Sequence, residues 1–361
     1  MATIADVAAL AGVSSMTVSR VLNQTGNVSP VKRDAVMQAV AALNYQPNLV
    51  ARSLATSKTG TIGMIVTEMG NAVYPSYMEG ASDRLRKAGL DVVVYYATSY
   101  QQTLSGLHTL LNKQVDGLIV LPLEIHENSE ARMRFSKVFH NAVERAQKPL
   151  VMIGNTFLKK YPSVAEDYAA GAVMAVNYLV EKGHRDIGYI HSITVGYPWD
   201  ERTHGFKQAV AVHHLSVGHD WSVRVPEDYD DAIVVVRRWI TQLQEKKRAL
   251  PSAVYCANDL IALATLHACQ QEGFRVPEDI SIIGHDGIFY TAYSNPRLST
   301  VALMPHETGK TVAEVLLSTM DERPGKKGPE KRLMPPHLIP GATVREGPRS
   351  PVTGFYRENE R

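Results

Sequence analysis

The sequence predicts a small all-α helix-turn-helix head followed by an α/β body of two similar, Rossmann-like lobes. Three observations carry this. The first fifty residues hold three short segments with apolar residues at helical spacing, each bounded by capping residues. From Thr61 onward, short apolar runs alternate with helical stretches, the βαβ order of parallel sheets. A length of 361 residues with 45% hydrophobic content exceeds one ordinary domain and suffices for several packed cores.

In the head, Thr3 followed by Asp6 forms a capping-box pattern, Ile4, Val7, Ala8 and Ala11 repeat at helical spacing, and Gly12 supplies a left-handed stop. Ser14 is placed to cap a second helix in which Val18, Val21 and Leu22 face inward, leaving Ser15, Met16, Ser19, Arg20 and Asn23 on the other side. Ser29 and Pro30 open a third helix, with Val36, Val40 and Leu43 as its buried stripe.

In the body, Ile62–Val66, Val92–Tyr96, Leu118–Leu121 and Leu150–Ile153 read as strands of a first lobe. Ile187–Ile190, Val254–Cys256 and Ile280–Ile283 read as strands of a second, with helices near Tyr168–Glu181, Arg202–Val212, Asp231–Gln244 and Asp259–Gln271. Leu298–Leu303 and a helix near His306–Met320 are expected to cross back to the first lobe. The expected divisions are a head over 1–47, a linker over 48–60, a first lobe over 61–156 plus about 299–320, a second over 157–298 plus about 321–346, and a disordered tail over 347–361.

The net charge of +2 conceals an uneven split. Residues 1–60 carry five basic against two acidic groups (+3), residues 61–320 carry 24 against 28 (−4), and the remainder nine against six (+3). A cationic head on a mildly acidic body suits a polyanion partner for the head, although a solvated basic surface gives the same balance. Cys256 and Cys269 are too few for a disulfide framework and lack zinc-ligand spacing, so they read as buried reduced thiols, and no metal is expected. No apolar run reaches membrane-spanning length and the N-terminus lacks a signal-peptide pattern, so the expected setting is cytoplasmic, with no membrane partner.

Two short helices joined by a glycine turn form a helix-turn-helix whose second helix fits the major groove. Arg20 is then the best base reader, since its fork donates two hydrogen bonds to guanine, and Ser15 and Met16 reach neighbouring base edges. Thr17, Ser19 and Asn23 suit phosphate oxygens, and Thr3 and Asn48 are assigned to the same backbone contacts. The pattern alone also fits a helical head with no nucleic-acid partner. Its wording is more specific: Gly12-Val13-Ser14, Thr17-Val18-Ser19-Arg20-Val21-Leu22-Asn23, Val28-Ser29, Asn44-Tyr45-Gln46-Pro47-Asn48 and Ala51-Arg52-Ser53-Leu54 occur in order. This resembles the LacI/GalR family of bacterial transcriptional regulators. The resemblance implies a linker that becomes a hinge helix only when two chains sit side by side on double-stranded operator DNA. Ala51 and Leu54 then lie at the minor groove, and the leucine wedges into a central base step. Two heads on one duplex imply a homodimer and a near-palindromic operator.

The body resembles the same family through Gly183-His184-Arg185, Arg202 with Gly205-Phe206, Ala257-Asn258-Asp259, Val276-Pro277, Ile280-Ser281-Ile282-Ile283-Gly284 and Leu298-Ser299-Thr300-Val301. The family body is similar to periplasmic sugar-binding proteins, which implies a two-lobed, periplasmic-binding-protein-like effector domain. Its ligand is expected to be a small-molecule effector (a sugar, a sugar phosphate or, in one branch, a purine), with no other cofactor. Motif matching assigns Arg202 and Asp286 as a clamp, Asn258 as a further hydrogen-bonder, and Tyr74 and Tyr229 as aromatic walls. Each has a plain structural alternative: a surface ion pair for Arg202, a loop cap for Asp286, a helix cap for Asn258 and core packing for the tyrosines. The sequence departs from the family at Gly284-His285-Asp286-Gly287, at Val73 and at Leu303, all around the pocket. The tail after Met320 has no leucine heptads to support a tetramer, and Pro340-Gly341-Ala342 interrupts the closing strand of the second lobe.

The expected mechanism is allosteric repression, in which an effector fits one lobe arrangement better and so alters operator affinity. A purine-controlled corepression is the alternative. An enzyme is not expected: the sequence has no Gly-x-Ser-x-Gly elbow or phosphate-cradling glycine loop, and His126-Glu127 and His306-Glu307 lack the second histidine of a zinc-protease pair. A solute-binding protein without gene regulation is the other rival, and the head argues against it.

Overall fold

The computed structural model describes residues 2–22, 25–45, 58–67, 72–121, 129–154, 157–194, 198–215, 217–321 and 330–347. The chain divides into two compact units, Met1–Gly60 and Thr61–Arg361.

In the head, α1 spans Ile4–Ala11 with the expected capping box: the Asp6 amide donates to Thr3 Oγ1 and the Thr3 amide to the Asp6 carboxylate at 2.7 Å. Gly12 ends it in the left-handed region at φ 63°. Helix α2 spans Ser15–Leu22, and Ser14 Oγ accepts from the Thr17 amide at 3.2 Å. Helix α3 spans Pro30–Ala42. Its start departs from expectation, since Ser29 makes no side-chain cap bond and the fixed φ of Pro30 opens the helix instead. Val7, Val18, Val21, Val36 and Ala39 form the mini-core, while Val40 and Leu43 are only partly buried.

The first part of the body runs β1 (Thr61–Val66), α4 (Val73–Arg86), β2 (Asp91–Tyr96), α5 (Tyr100–Asn112), β3 (Gly117–Val120), α6 (Ser129–Ala146), β4 (Leu150–Ile153) and β5 (Ser163–Glu166). The second runs α7 (Tyr168–Glu181), β6 (Ile187–Ser192), α8 (Trp199–Val212), β7 (Ser222–Val225), α9 (Tyr229–Glu245), β8 (Ala253–Cys256), α10 (Asp259–Gln271), β9 (Ser281–Asp286), a 3-10 turn (Phe289–Tyr293) and β10 (Ser299–Ala302). Then come α11 (Pro305–Asp321), β11 (Lys331–Met334) and β12 (His337–Ile339). The strands form two sheets, ordered β11-β5-β4-β3-β1-β2 and β12-β10-β9-β8-β6-β7. All pairings are parallel except β12 against β10. Helices cover both faces of each, as parallel sheets require.

Sheet membership corrects the expected lobe boundaries. Strand β5 lies in the first sheet although residues from 157 were assigned to the second lobe, β10 lies in the second although 299 onward was assigned to the first, and β11 returns to the first. The chain therefore crosses between lobes three times, at Glu166–Tyr168, Ala302–Pro305 and Met334–His337. Glycines allow close helix contacts at matching places: a Cβ on Gly309 would lie 2.0 Å from the Tyr77 carbonyl of α4, and one on Gly205 would lie 2.2 Å from the Ala169 carbonyl of α7. The tail is anchored through Gly347, whose amide donates to the Lys182 carbonyl at 2.6 Å. The disorder expected from that residue therefore does not begin there, and residues 348–361 lie outside the described residues. Among the described residues, no single helix is long and apolar enough to cross a membrane.

Candidate DNA-reading face and ligand cleft

On α2, Val18 and Val21 turn into the mini-core, so the opposite face is left outward by helical geometry. Ser15, Met16 and Arg20 are exposed there, Met16 at 65%. Met16 and Arg20 are four residues apart and share one face. The stem of Arg20 runs beside Gly26, where a Cβ would lie 3.5 Å from Arg20 Cδ. An exposed methionine beside an exposed arginine gives an apolar contact and a planar donor fork together. Thr17 and Ser19 are half-buried, and Thr17 Oγ1 lies 3.0 Å from Ser14 Oγ. The Thr3 hydroxyl is engaged with the Asp6 carboxylate at 2.8 Å. Of the other expected contacts, Asn23, Asn48, Ala51 and Leu54 lie outside the described residues.

In the body, strand carboxyl ends are where ligands bind in such sheets, and Asp286 is the last residue of β9. Its backbone sits at φ 119°, a left-handed conformation that non-glycine residues rarely hold. Asp259 holds it there. This fully buried carboxylate accepts from the Ile288 amide at 2.9 Å, from Thr300 Oγ1 at 2.6 Å and from the Gly287 amide, tying the turn after Asp286 to the start of α10. Burial pushes the Asp259 carboxyl well up and the nearby Asp286 charge adds to this, against those hydrogen bonds.

Asp286 forms a buried ion pair with Arg202, the fourth residue of α8. The guanidinium lies over Tyr168 at 4.4 Å and Trp199 at 4.8 Å. Burial works against the Arg202 charge, but Asp286 and the surrounding tyrosines hold its pKa above the ordinary value. Burial lifts Asp286 to about 6, while Arg202 pulls it down. Among the described residues, Arg202 Nε and His285 Nε2 are the buried side-chain polar atoms without a partner. With Asp286 occupying one guanidinium nitrogen, a free donor and a carboxylate stand side by side. That pairing matches a hydroxyl or a ring nitrogen beside its carbonyl.

The structure brings some of the expected residues together and not others. Arg202 and Asp286 meet directly. Asn258 adjoins Asp259 and caps α10 by accepting from the Ile261 amide at 2.8 Å. Tyr74 is buried on α4, edge-on to Tyr77 at 6.1 Å, in the apolar cluster that includes Ile288 and abuts Leu260. Tyr229 stands apart: its hydroxyl lies 3.4 Å from His267 Nδ1, and it lines a pocket of about 540 Å³ with Leu263, Tyr290 and Tyr293, where none of the other four expected residues lies. Sequence reasoning missed Asp259, Tyr168 and Trp199. Asp259 stands inside the quoted Ala257-Asn258-Asp259 run, and the two aromatics are the first residues of α7 and α8, which no local motif marks.

A helix-turn-helix head with an exposed second-helix face and a two-lobed body with a desolvated ion pair fit a ligand-responsive DNA-binding regulator. Comparison with known proteins agrees. Residues 3–48 match the bacterial regulatory proteins of the lacI family, and residues 176–344 match the periplasmic binding protein-like domain. The HTH-type transcriptional repressor PurR of Vibrio parahaemolyticus is 33% identical over 349 residues, covering 96% of this chain and 99% of that protein. The ribose operon repressor of Haemophilus influenzae is 32% identical over 348 residues, covering 96% and 98%. The solved lac repressor dimer, bound to operator and the anti-inducer ONPF, superposes with a TM-score of 0.79 at 24% identity, covering 95% of this chain and 99% of that one. The chain belongs to the lacI family of bacterial regulatory proteins; it is a DNA-binding transcriptional repressor with a ligand-binding effector domain, not an enzyme.

Proposed function

We propose that this repressor binds a near-palindromic operator as a homodimer and controls carbohydrate-metabolism genes in response to a small sugar-like effector held between its lobes. Ser15, Met16 and Arg20 read bases, and Thr3, Thr17, Ser19, Asn23 and Asn48 contact the DNA backbone. Ala51 and Leu54 enter the minor groove. Arg202, Asp286, Asn258 and Tyr74 line the cleft. The observation that carries the effector site is the buried Arg202–Asp286 pair with Arg202 Nε left without a partner. A desolvated donor and acceptor side by side discriminate strongly for a matching polar ligand, because an unmatched one leaves them unpaired. The ribose operon repressor supports a sugar. The PurR relatives support a second reading, a purine that strengthens rather than releases DNA binding.

Thermal-shift measurements with D-ribose, cellobiose and hypoxanthine separate the two, since a ligand of the folded state raises the melting temperature. A shift with a sugar that disappears in Arg202→Ala is expected; a shift with hypoxanthine alone transfers the proposal to the purine reading. For DNA, selection of binding sites from random duplex by the full-length protein is expected to return a near-palindrome, and absence of any enriched sequence sinks the operator reading. On the selected site, Arg20→Ala is expected to weaken binding by about 5- to 150-fold and to relax preference at one position per half-site.

A further inference from the structure

Glu166, the last residue of β5, is 3% exposed and belongs to neither the DNA face nor the clamp. It sits where the chain first leaves the first sheet, and its carboxylate reaches the second crossing. Oε1 accepts from Thr308 Oγ1 at 2.7 Å, Oε2 accepts from the Met304 amide at 3.4 Å, and Tyr77 of α4 donates to it as well. The neighbouring Asp167 amide donates to the Met334 carbonyl at 3.0 Å, so the third crossing joins the same knot. On the other side, the Leu303 amide donates to the carbonyl of Asp286 at 3.0 Å. One peptide unit therefore separates the hydrogen bond that holds the clamp residue from the one that ends on Glu166. The close approach of α4 and α11 at Gly80 and Gly309 seats Tyr77 and Thr308 around this carboxylate.

We propose that the Glu166 carboxylate is the latch of the interlobe hinge, and that proton binding to it releases the Met304 crossing and lets the lobes re-orient. All three of its partners are donors, which an ionised carboxylate accepts. Protonation removes the negative charge that strengthens all three bonds, the Met304 one included. The Met304 contact, at 3.4 Å against 2.7 Å for Thr308, is the longer of these two and the one that ties down a crossing. Tyr77 of α4 and the Asp286 charge of β9 also face it. Asp167, next along the chain, caps α7 through the Ala170 amide. On α11, His306, Glu307 and Lys310 are nearly half exposed and stand near one another and Asp83. Lys331 and Arg332 of β11 are exposed, and Ile153 of β4 is apolar. Burial and Asp286 raise the Glu166 carboxyl to about 7 against its hydrogen bonds, so the latch works near neutral pH.

The latch follows from the body fold alone, so its test needs neither operator nor effector and is independent of the proposed function. Spin labels on Lys137→Cys in the first lobe and Lys246→Cys in the second report interlobe distance in the full chain. Cys256 and Cys269 are buried and stay unlabelled. Labelled chains diluted into excess unlabelled protein give intrachain distances only. From about pH 5 to about pH 9, the distance distribution of the wild-type background is expected to change with a midpoint near 7. Glu166→Gln, which mimics the protonated state by adding a donor, is expected to hold the low-pH distribution throughout. A wild-type distribution that ignores pH, or a Glu166→Gln chain that titrates like wild type, overturns the proposal. Should Glu166→Gln fail to fold, Thr308→Val keeps the carboxyl and removes one charge-favouring hydrogen bond. Its midpoint is expected to move up by about one pH unit, and an unmoved or lowered midpoint overturns the proposal equally.

Discussion

The two lobes share one sheet plan but bury charge differently. Among the described residues, the first lobe buries Glu166 and Asp116. The second buries His184, Arg202, Asp259, His285 and Asp286. The strand order, the helix layers and the glycine-mediated helix contacts repeat from one lobe to the other, so architecture does not account for the difference. The second lobe keeps a desolvated ion pair and a strained turn at the end of β9, and the residues that hold them are themselves polar and buried. The first lobe supplies tyrosines and one carboxylate at the crossings. The lesson is that a repeated scaffold concentrates buried charge in one half.

The sharpest way to break this comparison is to remove Arg202. Arg202→Ala leaves Asp286 buried and unpaired beside Asp259, which typically costs about 3–5 kcal/mol. Urea unfolding followed by tryptophan emission measures it, because Trp199, Trp221 and Trp239 all lie in the second lobe. A loss below about 1 kcal/mol would mean that water or a neighbouring cation already compensates Asp286, and the two lobes would then differ less than argued. The glycine contacts test the shared part of the plan. Gly309→Ala in the first lobe and Gly205→Ala in the second each force a Cβ onto a backbone carbonyl, and each is expected to cost about 1–3 kcal/mol. Comparable losses support the repeat, whereas a neutral substitution on one side breaks it.

Acid acts on buried groups of opposite sign. His184, bonded to Ser252 Oγ at 3.0 Å and to the Arg345 carbonyl at 3.2 Å, is held down to about 4 by burial, and His191 likewise. The unfolded chain takes up these protons near 6.5 and the folded chain does not, so their contribution is present above 6.5 and is lost as pH falls through 4. Glu166 has the opposite sign. Its carboxyl is raised from 4.5 to about 7, so that contribution is present below 4.5 and is lost as pH rises through 7. Hydrogen exchange resolved by peptide is expected to show protection around His184 and His191 falling as pH drops through 4; unchanged protection there contradicts the assignment.

How much of this was legible follows from how local each signal is. The Thr3–Asp6 box, Gly12 and the outward face of α2 are written within a few residues of one another and were read correctly. Strands built on unbroken apolar runs, such as β1, β4 and β6, announce themselves. Strands β5, β7 and β11 do not, because Ser-Val-Ala-Glu, Ser-Val-Arg-Val and Lys-Arg-Leu-Met become strands only by pairing with distant neighbours. The misplaced lobe boundaries follow from the omission of β5 and β11 and from β10 pairing back to β9. Motifs assign Arg202 and Asp286 to one place and the two do pair although 84 residues separate them, whereas Glu166 carries no motif and its partners Met304 and Thr308 lie 138 and 142 residues away. Tyr229 was assigned by analogy to an aromatic wall, but it starts α9 on a face turned to His267.

The smallest expected effect is also the closest matched. Each lobe contains a tyrosine hydroxyl 2.7 Å from a histidine Nδ1: Tyr161 with His140 in the first, Tyr255 with His285 in the second. The chemistry is the same and the solvent is not. His140 is partly exposed, whereas His285 is fully buried, already has Nε2 without a partner, and is pressed against Gly171, where a Cβ would lie 2.5 Å from its ring. In Tyr161→Phe, water can replace the lost hydroxyl, so a change within about 0.5 kcal/mol is expected. In Tyr255→Phe, no water reaches Nδ1, and a neutral imidazole is left with neither nitrogen satisfied, at a cost of about 1–3 kcal/mol. The difference between the two losses, measured by urea unfolding under one condition, isolates desolvation from the hydrogen bond itself. If the two substitutions cost the same, burial of polar groups in the second lobe is not what sets the lobes apart.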